Sequence, residues 1–445
     1  MKLLMNFKLS QPKVNGHLPA FSFRPIALLL LAFQVLNAQP VLQWANGAGS
    51  TGHDSGDGIA VDANGNSYSV AYFLSTIDAD PGPGVQNLSS AGSEDILIRK
   101  LDPNGNIVWA KRIGGTLHDR AINIKYDPAG FIYLVGEFSG TVDFNPGTGV
   151  FNKTAAGNTD IFILKLDLLG NFDWAVALGS TGADNCWSLD IDASGAIYAV
   201  GFFSGTIDFD PGPGTFLLSS GGGYVVKLDS SGSFVWAGDV GNAASTDIEV
   251  DGNGNMYVTG IFNQTADPDP GPSTFSLTSN GQYDFYVEKL DSVGNFCWAV
   301  GFGGSLFDIS ESMARDGAGN LYITGYFQQT VDFDPGIGTY AVTGPGYHDA
   351  FVLKLSPAGG FVWAKTWGSA AGEIGIDLEL DSNSNVYVAG YFEDTLDFDP
   401  GAGIFSLPAA GIADAFIQKL DSAGNFINAM RLGGSWDDIA LLLRY

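Results

Sequence analysis

Positive charge is scarce in this sequence: 20 Lys and Arg stand against 48 Asp and Glu, for a formal net charge of −28. So acidic a surface repels nucleic acid and anionic lipid, and neither is an expected partner. There are only two cysteines, Cys186 and Cys297. They occupy non-equivalent places in the repeat described below, so they read as separate buried thiols, and no disulfide framework holds the fold. The four histidines do not form a zinc set: His53 and His118 recur in step, while His348 lies elsewhere. No segment keeps a helical period. No Gly-x-Ser-x-Gly elbow with a fitting acid and histidine is present.

Long apolar runs are also missing, apart from one near the N-terminus. Lys2, Lys8, Lys13 and Arg24 precede Ile26 to Leu36, which ends in Asn37-Ala38-Gln39. That order of charged, apolar and small residues is a secretory signal peptide, with Met5 as an alternative start. The run is too short to span a bilayer. Residues 1–38 are therefore expected to be cleaved after Ala38, leaving 39–445 as one secreted or cell-surface domain without membrane insertion. No cysteine follows the cleavage site, so no lipid anchor is expected. Cleavage removes four basic groups and no acidic one, which makes the mature chain more acidic still.

What the sequence has is a unit written six times. The tract Thr76-Ile-Asp78-Ala-Asp80-Pro-Gly-Pro-Gly84 returns at Thr141–Gly149, Thr206–Gly214, Thr265–Ser273, Thr330–Gly338 and Thr395–Gly403. The first Asp of each tract advances by 65 residues, except for one step of 59. Lys-Leu-Asp starts at Lys100, Lys165, Lys227, Lys289 and Lys419, with Ser356 replacing the Asp after Lys354. A tryptophan marks Trp44, Trp109, Trp174, Trp236, Trp298 and Trp363, and becomes Asn428 in the last copy. A fixed period of this kind signals stacked supersecondary units.

Each unit reads as four short strands separated by Asp-x-x-Gly turns, such as those beginning at Asp62, Asp102, Asp192 and Asp229. Aspartate accepts bonds from the following backbone amides, and glycine takes the positive φ that closes the hairpin. Four strands repeated radially make a β-propeller blade; a linear β-solenoid is the alternative. The chain opens on Val41–Ala45, which aligns with a fourth strand, and closes on Ile439–Leu443, which aligns with a first. The expected architecture is an all-β propeller of six complete blades plus a partial seventh built from both termini. The continuation of that blade would lie past Tyr445; a six-bladed ring with two spare strands is the alternative.

Three features resemble bacterial SBBP repeats, a β-propeller family. They are Leu432-Gly-Gly434 followed by an acid, Gly58-Ile-Ala-Val-Asp62-x-x-Gly-Asn, and Asp-x-Phe-x-x-Lys-Leu-Asp. The similarity covers essentially residues 41–445. It implies a secreted or surface-exposed bacterial propeller and no agreed substrate. The Asp-Phe-Asp-Pro-Gly insert departs from the family's shorter Asp-Phe-Pro segment.

Two sets of acids are candidate sites. Alternate carboxylates of the tract could meet one hard cation on an extended chain: Asp78/Asp80, Asp143/Asn145, Asp208/Asp210, Asp267/Asp269, Asp332/Asp334 and Asp397/Asp399. The plainer reading pairs the first Asp with the repeat lysine and uses the second to cap the Pro-Gly turn. Six of the ten mature lysines hold that repeat position, which points to an acidic partner within each blade. The second set stands where each first strand begins: Asp54, Asp119, Asp184, Asp308, Glu373 and Asp437, with Ala243 breaking the series. These would either ring one mouth of the channel and bind a cation or basic ligand, or cap their own strands. The repeat tryptophans are expected to pack between blades, whereas Trp187, Trp367 and Trp436 lie outside that position and suit a ligand better.

The functional expectation is a binding or structural module for a protein or carbohydrate ligand at the cell surface, needing no cofactor. A hydrolase of extracellular glycans and a calcium-stabilised adhesion scaffold are the rivals.

Overall fold

The computed structural model describes residues 4–7, 42–46, 49–50, 54–219, 221–435 and 438. Six antiparallel four-stranded sheets follow one another along the chain, and no helix occurs among the described residues. The second blade is typical. Its strands Asp119–Asp127, Phe131–Phe138, Asp160–Asp167 and Phe172–Leu178 pair in chain order. Each tract forms a short side hairpin between strands two and three, as in Thr141–Asp143 against Asn152–Thr154. The protein is an all-β propeller, with six four-stranded blades among the described residues.

The expected seventh blade is not among the described strands. Leu42–Asn46 pairs with Leu4–Phe7, and residues 439–443 lie outside the described residues. From the first blade to the sixth, each first strand packs on the first strand of the next. The sixth, Glu373–Leu380, does not pack in this way on Asp54–Val61.

The Asp-x-x-Gly turns form as their chemistry dictates. At Asp229, Oδ1 accepts from the amides of Ser231 and Ser233 at 2.9 and 3.0 Å, and Gly232 takes a φ of 82°. The core lies between blades rather than within them. Tyr68, Ile96 and Ile98 of the first blade meet Leu134, Phe144, Phe162 and Leu164 of the second in one buried cluster.

The repeat lysine is used differently from expectation. It lies across the sheet from a second-strand tyrosine, as Lys100 from Tyr68 and Lys354 from Tyr322. Its ammonium sits 4.6 to 4.9 Å over that ring in the pairs Lys100–Tyr68, Lys227–Tyr198, Lys289–Tyr257 and Lys354–Tyr322. It then donates to a turn carbonyl of the next blade, as Lys165 does to Ser230 at 3.1 Å. Own-blade acids join in three blades, at Asp173, Asp316 and Asp381. None of them is the first Asp of a tract. Trp109, Trp174, Trp236, Trp298 and Trp363 pack between blades as expected: Trp109 donates to Leu168 O at 3.1 Å. Both thiols are free, but only Cys186 is buried, and Cys297 is exposed.

Candidate functional site

Every first strand carries a β-bulge at one place, where its register against the second strand slips by a residue. The bulged residues are Asp57, Ile122, Trp187, Thr246, Glu311 and Ile376. A bulge turns its extra side chain out of the ladder. All six line one central cavity of about 440 Å³. The bulge has a partner on the second strand, a glycine at Gly136, Gly201, Gly260, Gly325 and Gly390. A Cβ at Gly136 would fall 2.0 Å from Arg120 O, so a side chain there needs the strands to shift; the first blade keeps its bulge opposite Ala71.

Below this ring, a belt of hydrogen bonds ties neighbouring first strands. Asn123 Nδ2 donates to Ser188 Oγ at 3.4 Å, and Ser188 Oγ donates to Asp247 Oδ1 at 2.6 Å. Asp247 Oδ2 takes the Met313 amide at 2.8 Å, and Ser312 Oγ donates to Asp377 Oδ1 at 3.0 Å. A third level holds Lys125 beside Asp190 and Glu249, at 3.7 and 3.9 Å. Burial pushes the Glu249 carboxyl up to about 8, with Lys125 opposing and Asp190, Asp247 and Glu379 reinforcing. Burial alone brings Glu311 to about 7. The cavity is thus acidic, with an apolar pair, Ile122 and Trp187, on neighbouring blades and Ile376 apart on the sixth.

Asp54, Asp119, Asp184, Asp308 and Glu373 stand in the blade wall and do not line the cavity. Asp119 Oδ2 takes the Gly115 amide at 2.7 Å and Oδ1 the Ser139 amide at 3.2 Å. Asp54, Asp184 and Asp308 make the same pair of bonds, while Glu373 holds Ser369. Asp119, Asp184, Asp308 and Glu373 are 0% exposed. In the sixth blade Gly434 N donates to Asp438 Oδ2 at 2.7 Å. Asp438 thus takes the place assigned to Asp437, which lies outside the described residues.

The tract acids are engaged by their own backbone. Asp78 Oδ1 accepts from the amides of Asp80 and Gln86, at 3.1 and 2.8 Å, and Asp80 Oδ1 from that of Gly82 at 2.7 Å. Asp143, Asp208, Asp267, Asp332 and Asp397 repeat the first pattern. Asn145, Asp210, Asp269, Asp334 and Asp399 repeat the second. The amide of Asn145 serves as well as a carboxylate, since the turn asks only for an acceptor.

Trp187 belongs to the cavity, while Trp367 is buried between blades. The other lining residues were missed because they differ from blade to blade. Their signal is the glycine inside an otherwise aromatic and β-branched second strand, which marks a bulge opposite.

No family model matches the sequence. The chain is similar to WD repeat-containing protein L264 of Acanthamoeba polyphaga mimivirus, 24% identical over 479 residues that cover 89% of this chain and 34% of that protein. It is similar also to regulatory protein FlaEY of Caulobacter vibrioides, 23% identical over 313 residues, 66% of this chain and 32% of that protein. It therefore spans about a third of the length of these relatives. Among solved structures, the Dos1 propeller aligns at a TM-score of 0.41 and 8% identity, covering 87% of each chain. A protein of unknown function from Bacteroides caccae aligns at 0.35 and 11% identity, covering 77% of this chain and 94% of its own.

Proposed function

We propose that this protein is a secreted or cell-surface binding module of SBBP-repeat type whose protein or carbohydrate ligand enters the central channel. One observation carries the reading. The repeat holds its turns, lysines and tracts nearly constant, yet six bulges aim five different residue types into one cavity. A purely structural repeat has no reason to vary most where its side chains converge. The test is binding to a glycan array and a peptide panel by the protein and by Trp187→Ala. Binding that is lost in the variant, at unchanged melting temperature, supports the channel; binding unaffected by it moves the site elsewhere. N-terminal sequencing of protein recovered from the medium should begin at Gln39.

A glycan hydrolase is the second reading, favoured by Glu249 and Glu311, two cavity carboxyls raised by burial to about 8 and about 7. Such groups hold a proton near neutrality, as a general acid must. Release of reducing sugar, abolished by Glu311→Gln, would select it.

We infer further that a seventh blade closes the ring between the sixth and the first. Two observations support this. Asp438 N donates to Ala413 O at 2.9 Å, the bond that leads into the next first strand at Asp119 and Asp184. Arg99, on the seam face of the first blade, is 3% exposed with no partner for Nε or Nη1. Deleting residues 439–445 should lower the melting temperature by several degrees. An unchanged melt removes that strand from the ring.

A further inference from the structure

The junction of the first and second blades holds a cation of the chain's own. Arg120 of the second blade lies 4.2 Å over the ring of Tyr72 in the first. Its Nε and Nη2 donate to Glu94 Oε2 at 3.1 and 2.8 Å. His118 sits beside them, 2.7 Å from Glu94 and 3.3 Å from Glu137. An aromatic face with carboxylates at its edge suits a guanidinium, which stacks by its plane and donates from its rim.

The junction of the fifth and sixth blades keeps the tyrosine and replaces the cation and both carboxylates. Tyr326 stands where Tyr72 does, four residues after the lysine-bearing tyrosine of its strand. Ile374 replaces Arg120, and Tyr391, its cross-strand partner, replaces Glu137. His348 takes the place of Glu94, with its ring 4.5 Å from Tyr326 and 4.3 Å from Tyr347. Tyr347 is 69% exposed, so the ledge opens to solvent. Glu311, the bulged acid of the fifth blade, stands two residues from Ile309, the cross-strand partner of Tyr326, and both Ile309 and Glu311 line the cavity. Among the described residues, no arginine or lysine lies within ion-pair distance of Glu311.

We propose that this mouth of the channel receives an arginine side chain from a partner peptide, with the guanidinium against Tyr326 and Tyr391 and bonded to Glu311. The proposal rests on the channel being the ligand site and names the chemistry it selects. The first junction is the internal precedent for a guanidinium on this tyrosine; the acid there is Glu94, whereas here Glu311 supplies it from the bulge. Arginine is favoured over lysine because its flat, weakly hydrated head can stack and donate at once.

The test is fluorescence polarisation with a labelled Gly-Gly-Arg-Gly-Gly peptide and its citrulline isostere, which keeps the shape and loses the charge. The arginine peptide should bind about tenfold tighter than the citrulline one, and Glu311→Gln should weaken it by about tenfold. Ile374→Arg restores the arrangement of Arg120 and should abolish binding without removing any proposed contact, while the melting temperature holds. Equal binding of arginine and citrulline peptides, or full binding by Ile374→Arg, overturns the proposal. So does a glycan that binds in a Trp187-dependent way without competition from the arginine peptide, but that result leaves the channel as the ligand site. Loss of all ligand binding to the channel would instead remove both readings.

Discussion

Lys165 and Trp174 donate to the same oxygen, the carbonyl of Ser230 in the next blade, at 3.1 and 3.3 Å. They are cross-strand neighbours in one blade, and Ser230 belongs to the Asp-x-x-Gly turn of the next. Gly232 of that turn lies on the indole, where a Cβ would stand 3.1 Å from it. Lys100 and Trp109 converge on Leu168 O, and Lys354 and Trp363 on Ser422 O. One turn of each blade is thereby seated on the outer strands of the blade before it.

Trp174→Ala should therefore lower the unfolding free energy by about 2–4 kcal/mol, since it removes packing and a hydrogen bond together. Trp187→Ala faces the cavity and should cost less than about 1 kcal/mol. Gly232→Ala places a side chain at a φ of 82° and should cost about 1–2 kcal/mol. Urea unfolding of the three variants checks the order; equal losses for Trp174 and Trp187 would contradict it.

The tract makes a contrasting prediction. Asp208 Oδ1 holds two amides, those of Asp210 and Phe216, at 3.1 and 2.8 Å. Asp208→Ala leaves both without an acceptor and should cost about 1–3 kcal/mol. Asp210→Asn copies Asn145 and should be near neutral, within about 0.5 kcal/mol. Calcium bound to the tracts would have to use the Oδ2 oxygens, because Oδ1 is taken. A melting temperature raised by calcium in the parent, and raised less in Asp210→Asn, would identify that site.

The fold was legible because its turns are chemical. Asp229 and Gly232 announce a hairpin wherever they occur, and the spacing of Trp174 from Trp109 counts blades without reference to packing. The site was less legible. Asp119 and Asp308 repeat because each ties a loop to its own first strand, so repetition marked structure. Ile122, Trp187 and Glu311 share only a position, and that position appears once the bulge opposite Gly136, Gly201 or Gly325 is seen. The partner of Lys165 was also hidden, because it is a backbone carbonyl in another blade and leaves no residue type behind.

Stability should fall as pH rises from mildly acidic to alkaline values. Burial raises Asp119 and Glu373 to about 7, and Asp308 and Asp349 to about 6. An unfolded carboxyl releases its proton near pH 4. Between the two values the native state holds protons that the unfolded chain has lost, so their contribution is full below about pH 4 and is lost through 6 to 7. The turn acids act oppositely. The Ser231 hydroxyl, with the Ser231 and Ser233 amides, lowers Asp229, while at Asp251 the bonds from Asn253 and Asn255 outweigh burial. Their contribution is lost as pH falls below about 4. Thermal melts from pH 3 to 9 should peak at about pH 4, and Asp308→Asn should flatten the limb above it. A melting temperature that is level from pH 5 to 8 would refute this.

Glu288 gives the sharpest test of how the blades are packed. It is 0% exposed, and neither carboxyl oxygen has a hydrogen bond. The second, third and fifth blades fill this position with Leu164, Val226 and Leu353, all buried. The sixth uses Gln418, whose Nε2 donates to Phe398 O at 2.6 Å. Burial, reinforced by Asp269, raises the Glu288 carboxyl well above its ordinary value, so it is held neutral in the folded state. Its raised value is a liability that grows as pH rises and the unfolded chain ionises. Glu288→Leu should therefore stabilise the protein by about 1–3 kcal/mol, because an apolar side chain removes an unmet polar group. Glu288→Gln keeps the shape, can donate to the Pro268 carbonyl as Gln418 does to Phe398, and should also gain. Both gains should be larger at pH 9 than at pH 5 when urea midpoints are compared. A loss of stability in Glu288→Leu at both pH values would mean that the carboxyl has a partner the packing of the fourth blade depends on.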